Sequence, residues 1–192
     1  MNIKSLIAGA ALATVATAPA FAEGFQPVIG MSLTGGGKTL LKVEMENGST
    51  QRVSSGGLVH LFGGVEYRAP MSPVSFQATV GYHADSIGAS NGDASFTRVP
   101  FELLGFWHPA DNFRLGGGLR KATSAEFRSS GAADVGDFNM RTTLGFVLQG
   151  EYLFGEHASV FLRYVHEDYK SNLLQGGEVS GDHGGLGISY RF

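Results

Sequence analysis

The chain ends on Gly184-Gly185-Leu186-Gly187-Ile188-Ser189-Tyr190-Arg191-Phe192. Leu186, Ile188, Tyr190 and Phe192 alternate with Gly185, Gly187, Ser189 and Arg191, a period of two. Successive side chains of a strand point to opposite faces. The stretch therefore predicts a strand with four large apolar groups on one face and small or charged groups on the other.

Seven further segments carry the same alternation: 25–34, 58–68, 74–85, 96–107, 113–122, 138–153 and 158–169. In the third, Val74, Phe76, Ala78, Val80 and Tyr82 oppose Ser75, Gln77, Thr79 and His83. In the sixth, Leu144, Phe146, Leu148 and Tyr152 oppose Arg141, Gln149 and Glu151. In the seventh, Val160, Leu162 and Tyr164 oppose Ser159, Arg163 and Glu167. The connectors 69–73, 108–112 and 154–157 are short and carry turn chemistry, whereas 35–57, 86–95, 123–137 and 170–183 are longer and polar. Thr39 to Glu46 also alternates and is followed by Asn47-Gly48, a strong hairpin turn. Its return limb, 49–54, has no apolar face for lipid, so this hairpin belongs outside a membrane, within the first long loop.

Composition narrows the choice of architecture. There is no cysteine, which removes disulfides, thiol catalysis and cysteine-bound metal. A net charge of −3 gives no footprint for nucleic acid. No apolar run after residue 22 is long enough for a membrane helix. A membrane protein built from this chain must then be a closed barrel, because lipid offers the backbone no hydrogen-bond partners. A soluble sandwich also alternates, but there the apolar face packs as a core and the other face is charged for solvent. Here the second face mixes Gly, Ser, Gln, Arg and Glu, which suits a narrow lumen. Aromatic residues gather at segment ends (Tyr67, Tyr82, Phe96, Trp107, Phe113, Tyr152, Phe154, Tyr164, Tyr190, Phe192), as interfacial girdles require.

The C-terminal stretch resembles the closing signature of bacterial outer-membrane β-barrels, with an aromatic last residue and apolar groups at every second position before it. The layout of the chain resembles the small eight-stranded members, the OmpA/OmpX/OmpW-like barrel superfamily. The resemblance implies an all-β fold, an eight-stranded antiparallel up-and-down transmembrane β-barrel, in the bacterial outer membrane with the short turns periplasmic. It also implies that Leu186, Ile188, Tyr190 and Phe192 are an assembly signal for the barrel assembly machinery. Periplasmic chaperones, outer-membrane lipid and lipopolysaccharide are the remaining partners expected of a monomer.

Residues 1–22 read as a secretory signal peptide: Lys4 in the positive region, Leu6 to Ala16 apolar, and Ala20-Phe21-Ala22 as the cleavage site. Residues 23–192 then form one barrel domain of about 170 residues, within the size of a single domain.

Inward parity places Glu66, Glu102 and Glu151 in the lumen with Arg68, Arg98, Arg114, Arg120, Arg163 and Arg191. Charges inside so small a barrel must pair. Such a lumen charge network is either a static filling or, given the arginine excess, a narrow anion-biased conduit. An eight-stranded interior just accommodates side chains, so the filling is the expectation.

Other chemistry is weaker. Gly35-Gly36-Gly37-Lys38-Thr39 lacks the first glycine of a phosphate loop, Ser32 standing in its place, and no helix follows. Arg163-Tyr164-Val165-His166 followed by Ser171-Asn172 loosely resembles the region bearing the histidine and serine of outer-membrane lipid A deacylases. In that family the serine lies two residues after the histidine. Here that position is Asp168, and Ser171 falls on the opposite parity, which removes the geometry for activation. Tyr164, Tyr169 and His166 read instead as part of the outer girdle. His60 and His83 share inward parity with Asp85 nearby, but nothing in their spacing makes a metal site. The expectation is a non-catalytic envelope protein without metal or cofactor, acting through envelope integrity or its long loops. A small-solute channel and a lipid A-modifying enzyme are the alternatives.

Overall fold

The structure, a computed structural model, describes residues 24–44, 50–89, 92–131, 136–170 and 177–192. Residues 1–22, read above as a signal peptide, and the Asn47-Gly48 turn lie outside the described residues. The strands in chain order are β1 (Phe25–Gly36), β2 (Thr39–Glu44), β3 (Thr50–Ser54), β4 (Leu58–Arg68) and β5 (Val74–Ala89). They continue as β6 (Gly92–Ala110), β7 (Phe113–Gly131), β8 (Phe138–Thr142), β9 (Gly145–Phe154) and β10 (Ala158–His166). β11 (Asp168–Lys170), β12 (Glu178–Ser180) and β13 (His183–Arg191) complete the set.

Eight of these close into a ring. β1 pairs with β4, β4 with β5, β5 with β6, β6 with β7, β7 with β9, β9 with β10, β10 with β13 and β13 with β1, all antiparallel. Closure removes every edge in the membrane zone, which is what lipid demands of a sheet. β8, β11 and β12 continue β9, β10 and β13 toward the long-loop end. They pair in the order β7–β8–β11–β12 and raise the wall there.

The alternation read from sequence is the alternation of exposure. On β13 and the residue that follows it, Leu186, Ile188, Tyr190 and Phe192 face outward at 43–60% exposed, and the residues between them face in. An outward apolar band around the ring, together with a polar interior, is the pattern of a barrel in lipid rather than of a sandwich in water.

Four details differ from the sequence reading. Register shifts between Arg98 and Pro100, opposite Ala122 and Ala125. Proline has no N–H to give the ladder and is tolerated at such a bulge. The bulge flips parity, so Ala125 and Phe127 face inward beyond Arg120 and Ala122, and β7 runs on to Gly131 instead of stopping at 122. Second, the break between β8 and β9 shifts parity again. Arg141 is exposed and Met140 is buried, so Arg141 does not share the lumen with Gln149 and Glu151. Third, Phe96 and Tyr169 are fully buried inside the mouth and belong to no girdle.

The fourth difference is the hairpin β2–β3. It forms its own small sheet, outside the ring as expected, but it folds across the mouth. Val53 is fully buried among Ala94, Phe96, Ala125, Phe127, Met140 and Tyr169, with Leu40 packed against them. The strand β3 therefore needs only one apolar residue, because it faces the mouth rather than lipid. The hairpin is tied down on two sides. The Lys38 backbone N–H donates to the Ser180 carbonyl at 3.1 Å. Ser54 N–H donates to Asp85 Oδ2 at 2.8 Å, and Ser55 Oγ donates to the Ser180 carbonyl at 2.6 Å.

Candidate functional site

The interior holds two buried charge clusters. The lower one lies toward the short turns. Arg114 Nη1 donates to Glu66 Oε1 at 2.6 Å and Arg114 Nε to Glu151 Oε2 at 2.9 Å. Arg191 Nη1 donates to Glu151 Oε1 at 3.1 Å. Ser159 and Ser189 hydroxyls also donate to Glu151 Oε1, and Gln149 Nε2 to Oε2. Two arginines thus meet two glutamates, and the cluster is neutral.

The upper cluster lies under the hairpin. Arg120 Nη1 meets Glu102 Oε1 at 2.5 Å, Arg120 Nε meets Glu167 Oε2 at 2.9 Å, and Arg163 Nη2 meets Glu102 Oε2 at 2.7 Å. Arg98 Nε lies 3.8 Å from Glu167 Oε1, while its Nη1 donates to the Ser55 carbonyl and its Nη2 to the Gly57 carbonyl. Asp85, held by Ser54, adds a third carboxylate beside the cluster without touching an arginine among the described residues, so three arginines stand near three carboxylates. Three histidines stand among them, His60 to His83 at 5.2 Å and His83 to His183 at 5.0 Å between ring centroids. Arg120 donates to His83 Nδ1 at 3.1 Å and Arg163 to His60 Nδ1 at 3.1 Å. A guanidinium has no acceptor, so both rings must present a lone pair and are neutral here. Just above, burial pushes the Tyr169 hydroxyl pKa up, and that hydroxyl donates to Glu167 Oε1 at 2.5 Å.

Apolar residues separate the two clusters. Phe62 and Phe161 pack with Val28, and Leu104 and Phe106 with Val147 and Val165. The Arg114 guanidinium lies 3.9 Å over the Phe106 ring, and that of Arg163 lies 5.5 Å over Phe161. From short turns to long loops the lumen therefore runs charged, apolar, charged, and then apolar again at the hairpin.

All of the sequence-predicted lumen charges but Arg68 are brought into these clusters. Arg68 is exposed at the short-turn rim, where its Nε donates to the Ser72 carbonyl at 3.0 Å, because β4 ends there and the chain turns away from the lumen. Glu167 is a central member that the predicted network omits, although its parity matches Arg163. His183, which the sequence pattern assigns to the loop 170–183, is 2% exposed in the upper cluster.

His83, Glu167 and His183 bring their ligand atoms within 4.8 Å of one another. Arg98 and Arg120 already donate to His83, and Arg120 to Glu167. A divalent cation would have to displace guanidinium groups and add charge to a neutral cluster, so this donor set does not fit a metal. His166 faces outward, its Nδ1 2.7 Å from Asp182 Oδ1 and its ring 5.0 Å from Phe146. Ser171 lies outside the described residues.

The sequence matches the family described as outer membrane protein beta-barrel domain over residues 8–192. The chain belongs to this family. It is an outer-membrane β-barrel protein of the Gram-negative envelope. No curated protein sequence matches the chain. Among solved structures, the fold is similar to that of Ail, the attachment invasion locus protein of Yersinia pestis, in complex with the heparin analogue sucrose octasulfate. The likeness has a TM-score of 0.53 at 13% identity, covering 88% of this chain and 97% of that one. Neisserial surface protein A is similar at a TM-score of 0.51 and 13% identity, over 88% of this chain and 98% of that one. In the orientation usual for outer-membrane barrels, the lower cluster faces the periplasm and the hairpin the outside.

Proposed function

We propose that this outer-membrane barrel is a closed, non-catalytic monomer that presents a rigid surface platform and contributes to envelope integrity. The observation that carries the reading is the filling of the lumen: paired charge and apolar layers occupy it, and the hairpin covers its outer mouth. A small barrel packed this way stiffens its wall and leaves no continuous aqueous path. β6 and β7, each 19 residues long, carry the wall beyond the apolar band and give the outer loops a firm base. The outward row Leu186, Ile188, Tyr190 and Phe192 supports recognition of this strand by the barrel assembly machinery and periplasmic chaperones. Lipopolysaccharide is the partner for the outer rim.

Conductance tests the reading. Refolded protein in a planar bilayer is expected to be silent, with insertion confirmed by the different gel mobility of unboiled and boiled samples. Discrete openings that change in Arg163→Ala would make the lumen a path and replace this reading with a small-solute channel. A change in lipid A mass in expressing cells would overturn the non-catalytic assignment.

A further inference from the structure

The upper cluster contains a histidine held by the same arginine that fastens the hairpin. His83 Nδ1 accepts from Arg98 Nη2 at 2.8 Å and from Arg120 Nη2 at 3.1 Å, and its Nε2 lies 2.8 Å from Thr34 Oγ1. An accepting Nδ1 leaves the single ring proton on Nε2, which donates to Thr34. The Arg98 guanidinium also donates Nη1 to the Ser55 carbonyl and Nη2 to the Gly57 carbonyl at 3.3 Å, at the base of the hairpin. One nitrogen, Arg98 Nη2, thus serves the ring and the hairpin together.

A proton on Nδ1 would remove the lone pair that receives Arg98. Two cationic donors would then face each other across 2.8 Å. The groups around the ring do not offset the added charge. Arg98 reaches it from β6, Arg120 from β7, His60 from β4 and His183 from β13. The carboxylate of Glu167, between β10 and β11, comes within 4.8 Å, but it already holds Arg120 at 2.9 Å and the Tyr169 hydroxyl. Arg120 is anchored by both Glu102 and Glu167, whereas Arg98 has only a 3.8 Å approach to Glu167 among the described ion pairs. Arg98 is therefore the partner that gives way.

We propose that His83 is a proton-operated release for the hairpin. In acid, Arg98 lets go of the Ser55 and Gly57 carbonyls, and Asp85 alone holds Ser54 on the β5–β6 side. The ties on the other side join Lys38 N–H and Ser55 Oγ to the Ser180 carbonyl, and neither contains a titratable group, so they remain as a hinge. Each opening uncovers the apolar mouth of Phe96, Phe127 and Tyr169 while the eight-stranded ring stays closed. The closed barrel proposed above is the neutral-pH state. It is tested by conductance and the release by a different readout, so either can fail alone.

The test is amide hydrogen exchange, read by mass spectrometry on the refolded full chain in detergent. Exposure times are scaled for the pH dependence of intrinsic exchange. An open hairpin admits water to His83, and a hydrated imidazole titrates at about pH 6.5. Opening that takes up one proton becomes about tenfold more frequent for each pH unit below that value. From about pH 7.5 to about pH 5, protection of residues 50–57 should therefore fall at least about tenfold, with β9 and β10 unchanged. His83→Gln keeps an acceptor but cannot titrate, so its protection should be the same at both pH values. Asp85→Asn should lower protection at both and keep the fall. Retention of the unboiled gel band shows that each variant is folded. Should His83→Gln lose that band, Asp85→Asn decides: a retained fall supports His83, and a lost one assigns the release to the carboxylate. Equal protection of the wild-type segment at both pH values would overturn the proposal. The same fall in folded His83→Gln, or a parallel loss in β9 and β10, would overturn it as well.

Discussion

The lower and upper charge clusters are built from the same two residue types and behave as different devices. The lower cluster joins strand to strand: Glu66 on β4, Arg114 on β7, Glu151 on β9 and Arg191 on β13. It ties the cylinder across its own diameter. The upper cluster adds three histidines and reaches out of the ring, because Arg98 holds the Ser55 and Gly57 carbonyls and Asp85 holds Ser54. Charge in the first closes the wall on itself. In the second it fastens a loop to the wall.

Substitutions separate the two. Arg120→Ala should have the largest effect, since it breaks two buried pairs at once, leaving Glu102 to Arg163 alone and Glu167 to Arg98 at 3.8 Å and the Tyr169 hydroxyl; a broken buried pair of this kind costs about 3–5 kcal/mol. Arg114→Ala, which leaves Glu66 with Arg191 only at 3.9 Å and Glu151 with Arg191 at 3.1 Å, belongs in the same range. Both should lower the temperature at which the unboiled gel band converts to the boiled one. A loss below about 1 kcal/mol in either would mean that water, not pairing, satisfies these carboxylates.

Arg98→Ala should instead act on the hairpin. Limited proteolysis of the folded variant should cut between residues 50 and 57 while the unboiled band persists. Arg114→Ala should keep that segment protected. If both variants are cut alike, the distinction between a wall brace and a loop fastener fails. Val53→Ala should cost about 1–3 kcal/mol, from lost burial and the cavity left among Phe96, Phe127 and Tyr169. Its effect should appear as hairpin release before barrel melting. Arg68→Ala should change stability by less than about 0.5 kcal/mol, as expected of an exposed side chain outside both clusters. A larger effect would extend the lower cluster to the rim.

Much of this barrel is legible in the sequence because lipid imposes a simple rule. Every second residue must suit hydrocarbon, so Leu186, Ile188 and Tyr190 declare their face without reference to the rest of the chain. The lumen partners are less legible. Parity puts Glu102 and Arg120 inside, but their 2.5 Å contact depends on how β6 and β7 stagger. What fails is parity across an interruption. The β7 bulge at 123–124, opposite Pro100, and the break at 143–144 each move the pattern by one residue, so Phe127 turns inward and Arg141 outward. The hairpin is hidden for a different reason. Val53 is one apolar residue in a polar limb, and its burial depends on β5, β6, β7, β8 and β11 all converging at the mouth.

The same hairpin joins parts of the chain that are made at different times. Its partners are Lys38 and Ser55 from the first loop and Ser180 just before the last strand, so Ser55 and Ser180 stand 125 residues apart. The ties to Ser180 cannot form until β13 has arrived beside β1. A barrel still open at that seam would hold the hairpin from the β5–β6 side alone, through Asp85 and Arg98, and a sealed one adds the Ser180 latch. The first loop thus records, on the outer face, whether the circle behind it has been completed.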